Sequence, residues 1–179
     1  MPDQEPAPQK KLGRGMLSIA WVLILGFLTY AAGYWEDKQL NPNSSPESSS
    51  NDTHVEVTLQ RNRWGHYVTS GLINQNEVVF LLDTGASEVS IPEHIAQSLR
   101  LKKGPSMRRI TANGEITVYA TTLDQLDIGD IQLKNINASI NPFSDDDVIL
   151  LGMSVLTQVD FSQRGKQLTL RQMRPHSSP

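Results

Sequence analysis

Hydrophobic and polar positions fall into three successive regimes along the chain. Gly15 to Trp35 is an apolar run without a charged side chain, Glu36 to His54 is almost wholly polar, and from Val55 apolar residues return in short stretches with a period of two. Alternation of that kind predicts half-buried strands. Val55, Val57 and Leu59 alternate with Glu56, Thr58 and Gln60, while Tyr67–Ile73 and Glu77–Leu82 flank Asn74-Gln-Asn76 as a hairpin. Arg109–Ala112 and Glu115–Thr122 flank Asn113-Gly114, a dipeptide suited to a tight hairpin turn. Ile131–Ile140 follows the turn residues Gly129-Asp130, Val148–Leu151 is wholly apolar, and Gln167–Arg171 follows Arg164-Gly165. Helical signals are confined to Pro92–Leu99, with Pro early and Ile95 and Leu99 on one face, and to a short turn at Ser154-Val-Leu-Thr. The expected fold is therefore mainly β, a small barrel or sandwich carrying one or two short helices.

The first regime is long enough to matter on its own. Met16–Trp35 is about twenty residues, which as a helix crosses a hydrocarbon core of about 30 Å. Tyr30, Tyr34 and Trp35 cluster at the far end, and Lys10, Lys11 and Arg14 flank the near end. That arrangement predicts a transmembrane anchor with the N-terminus cytoplasmic and everything after Trp35 exported. Ala31-Ala32-Gly33 also offers the small residues of a signal-peptide cleavage site, against which the length of the apolar run argues. Glu36–His54 is too polar to order itself and is expected to be a flexible linker with a typical span of about 25 Å. The predicted organisation is a cytoplasmic segment 1–15, an anchor 16–35, a linker 36–54, a folded domain 55–175 and a tail 176–179.

Composition narrows the chemistry. Of 179 residues 38% are hydrophobic, and once anchor and linker are set aside about 120 remain to build a core. That is one domain, too small for two catalytic lobes of about a hundred residues each. A formal net charge of −3, with no basic block beyond the N-terminus, makes nucleic acid a poor partner. The absence of cysteine excludes thiol catalysis and Cys-type zinc sites, and His54, His66, His94 and His176 have no two-histidine metal spacing, so no metal site and no cofactor are expected.

The segment that carries candidate chemistry is Val78-Val-Phe-Leu-Leu-Asp83-Thr84-Gly85-Ala86-Ser87. Five apolar residues deliver a carboxylate to the end of a buried strand, and Gly85 permits a tight turn. A carboxylate against an apolar strand must be paired, hydrogen-bonded or protonated. Two of them held together share one proton, as in an aspartic-protease dyad, and the pair can activate a water against a peptide carbonyl while hydrogen-bonding the developing oxyanion. Only Asp83 has this setting here, so the second carboxylate is expected from Asp83 of another copy in a two-fold dimer.

Phe80-Leu-Leu-Asp-Thr-Gly-Ala-Ser87 resembles the active-site loop of retropepsin-like aspartic proteases, and Ile149-Leu-Leu-Gly-Met-Ser-Val-Leu156 resembles that family's second signature. The likeness covers roughly Val55 to Arg171. It implies a retropepsin-like acid-protease lobe with the half-barrel architecture of one half of a two-lobed enzyme. Asp83 would be the catalytic acid/base carboxylate, Thr84 would fix the two loops across the dimer axis, and the Gly85 amide would approach the carboxylate. Ala86 would be a small neighbour and Ser87 a loop hydrogen bonder. Leu150, Leu151 and Gly152 would pack behind the loop. Thr111, Ala112, Asn113 and Gly114 would form the flap over the substrate, although this flap lacks the glycine-rich viral pattern. An anchor followed by a polar tether is similar to bacterial membrane-bound members of the family, which implies an inner-membrane protein with its protease domain in the periplasm, acting on protein or peptide substrates.

Plainer readings accompany these. Asp83-Thr-Gly is also compatible with an ordinary strand-end turn, and Asn113-Gly114 with a simple hairpin. Asp145-Asp146-Asp147 reads as a solvated acidic turn, because no EF-hand ligand loop surrounds it. Trp64 and Tyr67 could line a groove or be half-buried strand aromatics. The alternative to an endopeptidase is a non-catalytic peptide-binding or dimerisation module on the same fold.

Overall fold

The computed structural model describes residues 14–111 and 114–174. Contacts divide the chain into two units, 1–37 and 38–179. The first is dominated by helix α1, Arg14–Leu40, which continues into the second. From Gly15 to Leu40 it is long and apolar enough to cross a membrane, a property that a signal sequence shares. Its apolar side chains are exposed along their length, so it is not the core helix of a soluble domain.

The second unit is mainly β. Its eleven described strands are β1 Glu47–Ser50, β2 His54–Gln60, β3 Val68–Ile73, β4 Asn76–Leu82, β5 Val89–Pro92, β6 Ser106–Thr111, β7 Gly114–Ile128, β8 Ile131–Asn141, β9 Ile149–Leu151, β10 Asp160–Arg164 and β11 Gln167–Met173. Helices α2, Glu93–Ser98, and α3, Met153–Leu156, are short. Seven strands lie in the order β3-β4-β9-β5-β8-β7-β6, and a further β3–β7 pairing at Leu72↔Asp127 and Ile73↔Leu126 closes that sheet on itself. The remaining four form a sheet in the order β1-β2-β11-β10.

Alternation explains how these strands share one core. In β2, Val55, Val57 and Leu59 are buried while their neighbours are partly exposed. Phe80, Ile91, Leu123, Leu126, Ile136, Ile140, Ile149 and Leu151 are fully enclosed and join Leu59, Leu168 and Leu170 of the smaller sheet in a continuous cluster. Burying a side chain of this kind contributes about 1.5–3 kcal/mol. The β3–β4 hairpin turns at Asn74 and Gln75, whose φ angles of 48° and 68° suit the strand twist. Helix α2 starts after Pro92 and buries Ala96, and the ammonium of Lys103, hydrogen-bonded to Glu93, holds that carboxyl below its ordinary range.

The expected flexible linker 36–54 is corrected over most of its length. Helix α1 runs on to Leu40, and β1 pairs with β2 from Glu47↔Thr58 to Ser50↔Val55. Between them Asn43 is buried, its Nδ2 donating to the Val68 and Gln60 carbonyls at 2.6 and 2.9 Å and its Oδ1 accepting from the Gln60 amide at 2.6 Å. Backbone and amide hydrogen bonds order this polar segment, which hydrophobic patterning does not register.

Candidate active site

Strand β4 ends at Leu82, and Asp83 is the first residue beyond it. Its position is fixed from behind, because β4 runs parallel to β9 with Leu81↔Leu150 and Leu82↔Leu151, and the Asp83 amide donates to the Leu151 carbonyl at 3.1 Å. The chain then turns within two residues. Gly85 donates its amide to Asp83 Oδ1 at 2.9 Å and Ala86 its amide to the Asp83 carbonyl at 3.2 Å. One carboxylate oxygen is thereby oriented by the backbone. A Cβ at Gly85 would stand 3.2 Å from that oxygen, so a side chain there would press on the carboxylate.

Leu150, Leu151 and Gly152 lie behind this loop. The Met153 and Ser154 amides at the start of α3 donate to the Ala86 and Ser87 carbonyls at 2.8 and 3.1 Å. Ser154 Oγ accepts from the Val89 amide at 3.2 Å and donates to the Asn137 carbonyl at 3.2 Å, tying the loop to β5 and β8. Gly152 is buried where any Cβ would sit 2.4 Å from the Glu88 carbonyl oxygen and 2.6 Å from that of Ala86. Only glycine lets the two backbones approach so closely.

Asp83 opens onto a cleft of about 510 Å³. Gly85, Ala86, Ser87 and Leu150 share its wall, and the facing side is the β6–β7 hairpin, through Arg109, Ile110, Thr111, Ile116 and Val118. Of the expected flap residues Thr111 therefore faces this cleft, Gly114 is exposed beside its pairing partner Thr111, and Ala112 and Asn113 lie outside the described residues. Thr84 is exposed at the turn, whereas Leu151 and Gly152 are buried beneath it.

Several cleft residues escaped the sequence reading. Glu88 follows the loop and accepts from Arg109 Nε and Nη2 at 3.1 and 3.0 Å, joining the loop to the hairpin strand. Residues twenty-one apart with no shared motif give no signal of such a pair. Ser90, Ser139 and Asn141 complete the floor, and only the parallel β5–β8 register, Ser90↔Ser139, brings the first two together. A larger depression of about 680 Å³ shares Glu88 and Arg109 as a wall but contains no part of the Asp83 turn. Its size does not make it the reacting site. Tyr67 packs on the core and Trp64 stands in an exposed loop, so neither lines the cleft.

The chain is similar to known proteins over this region. Residues 69–158 match the model of a family described as "gag-polyprotein putative aspartyl protease". A Sinorhizobium protein described as uncharacterized, from the cobV 5′ region, is 27% identical over 175 residues, 90% of this chain and 75% of its own length. The uncharacterized protein RP867 of Rickettsia prowazekii is 32% identical over 104 residues, 56% of this chain and 44% of its own length. Among solved structures, a retropepsin-like aspartic protease from Rickettsia conorii superposes with a TM-score of 0.57 at 32% identity, covering 71% of this chain and 96% of that one. With half of its length matched by the family model and its fold shared with a solved member, this chain belongs to the retropepsin-like aspartic proteases.

Proposed function

We propose that the protein is a membrane-anchored, homodimeric aspartic endopeptidase in which Asp83 from each of two chains forms one catalytic dyad. The observation that carries this reading is the carboxylate inventory of the cleft. Of its two carboxylates, Asp83 is oriented by the Gly85 amide and faces open space, while Glu88 is engaged by the Arg109 guanidinium. One chain thus presents a single available carboxylate, and water activation between two requires a second copy.

In the dimer, one Asp83 takes a proton from the attacking water while the other, protonated, hydrogen-bonds the carbonyl oxygen as it becomes an oxyanion. The proton then passes to the leaving amine as the C–N bond breaks. Thr84, exposed at the turn, is suited to the contact between the two loops, and Thr111 to Gly114 close over the peptide and exclude water. Helix α1 serves as the anchor, with the N-terminus in the cytoplasm and the protease domain in the bacterial periplasm, where the substrates are extracytoplasmic protein segments.

The test compares the full-length chain with Asp83→Asn on a mixed peptide library from acidic to neutral pH. Cleavage by the wild type falls by a factor of about 10²–10⁴ or more in the variant, and activity rises more steeply than linearly with protein concentration where the dimer dissociates. A dimeric wild type that cuts nothing the variant spares overturns the enzyme reading in favour of a peptide-binding module. Release of the chain from membranes by carbonate would overturn the anchor without touching the chemistry.

A further inference from the structure

The loop between β2 and β3, Arg61-Asn62-Arg63-Trp64-Gly65-His66, has no part in the proposed chemistry, yet its construction is specific. Asn62 caps it, accepting at Oδ1 from the Trp64 and His66 amides at 3.0 and 2.9 Å, and Arg61 Nε donates to the Gly65 carbonyl at 2.8 Å. The β10–β11 turn lies alongside, the Arg61 amide donating to the Lys166 carbonyl at 2.8 Å. Two adjoining turns thus present Arg61, Arg63 and Lys166 beside Trp64, which is 49% exposed, with Arg164 on the second turn, and all four cations are exposed. Neither 60–67 nor 162–169 contains an Asp or Glu.

The charge here differs from that of four basic residues elsewhere on the domain. Arg108, Arg109, Arg171 and Lys103 each pair with a carboxylate. Arg61 and Arg63 are instead held by neutral oxygens, the Gly65 carbonyl and Gln39 Oε1 at 2.7 Å, with the Arg63 guanidinium 4.8 Å from the Trp64 ring. They are positioned without being neutralised. The loop is also bonded to the end of α1, since Asn62 Nδ2 donates to the Leu40 carbonyl at 3.2 Å. Leu40 is only five residues beyond Trp35, the last residue of the apolar run, so the point at which the loop is bonded to α1 lies within about 20 Å of the end of that run.

Resting on the anchored reading above, we infer that this patch docks the protease domain on the bilayer that holds the anchor, with anionic phospholipid headgroups as its ligand. Guanidinium and ammonium groups bind phosphate oxygens, an exposed indole favours the headgroup level, and the cations act within a Debye length of about 8–10 Å at moderate salt. Glu36 and Asp37, with Lys38 beside them, reduce the local positive charge without cancelling it. Docking here would fix which way the Asp83 cleft faces.

The full chain supplies the test, with Trp21 and Trp35 changed to Phe so that Trp64 is the sole tryptophan. It is placed in nanodiscs of phosphatidylcholine with or without phosphatidylglycerol, doped with a headgroup spin-labelled lipid. Trp64 emission is quenched and blue-shifted in the anionic discs, and high salt reverses both. Arg63→Gln with Lys166→Gln, which leaves Arg61 to hold the loop, lowers the docked-to-undocked ratio about 30-fold, at roughly a factor of five per cation. Equal quenching in both lipids, or none in chains that have entered the disc, overturns the inference while sparing the anchor. A chain that fails to enter discs overturns the anchor reading itself.

Discussion

The two walls of the Asp83 cleft are built on opposite plans. The floor, where β4, β9 and the start of α3 meet the active-site loop, is over-determined: parallel strand pairing, amide bonds from Asp83, Met153 and Ser154, and a glycine under two carbonyls all specify one arrangement. Among its described residues the facing hairpin is held more lightly. Toward its end Ile110 is 91% exposed and Gly114 has open space around it, and the described contacts there are cross-strand pairing such as Ile110↔Glu115 together with surface hydrogen bonds and the Glu88–Arg109 pair. A site that must orient a carboxylate and also admit a peptide benefits from this inequality, since the first task needs rigidity and the second needs a wall that is cheap to move.

The contrast breaks most visibly at Gly152. A methyl there meets two backbone oxygens rather than a yielding side chain, so Gly152→Ala is expected to cost about 1–3 kcal/mol in denaturant unfolding and to lower proteolysis with it. If the variant unfolds like wild type, the floor is softer than its hydrogen bonds imply. Glu88→Gln probes the ion pair between floor and hairpin. The Glu88 side chain is 18% and the Arg109 side chain 42% exposed, and a pair so partly screened is worth about 1 kcal/mol or less, measurable by a cycle with Arg109→Met. Its larger expected effect is on KM, because the hairpin loses its tie to the loop.

Ile110→Ser tests the other wall. A side chain so exposed contributes little to folding, so the unfolding free energy should stay within about 0.5 kcal/mol of wild type while KM rises. A clear loss of stability would mean that the hairpin end is packed in solution, by a second copy for instance. Glu93→Gln, outside both walls, is the control with the smallest effect. Hydrogen bonding and charge from Lys103 lower the Glu93 pKa, so any stabilisation is present above the ordinary carboxylate range and is lost as pH falls through it. The variant should therefore differ slightly from wild type near neutrality and match it in acid, with activity per folded chain unchanged.

How much of this was legible in the sequence follows from what each element uses to hold itself. Strands β2, β4, β9 and β11 bury side chains in pattern and were readable, as were the turn at Asp83 and the Gly152 strand behind it, because apolar runs and glycine leave a mark on composition. Strands β1 and β10 are exposed at every position and exist through backbone pairing, which Glu47-Ser-Ser-Ser50 does not advertise. Strand β5 is four residues ending in Pro92, too short for a period to emerge. The Glu88–Arg109 pair and the Asn43 bonds are tertiary facts, set by which strands become neighbours.

Asn43 carries one more consequence. Had residues 36–54 been free, a fully extended linker would have let the domain stand about 65 Å from its anchor. With Asn43 locked between Gln60 and Val68, it lies eight positions beyond Trp35, a stretch that spans at most about 28 Å fully extended and less because α1 runs on to Leu40. In an anchored chain that distance is a ruler. If the proposed anchoring and activity hold, scissile bonds close to the bilayer would fall within its range and those far above it would not, so the buried side chain of one asparagine would select substrates by height before any subsite reads their sequence.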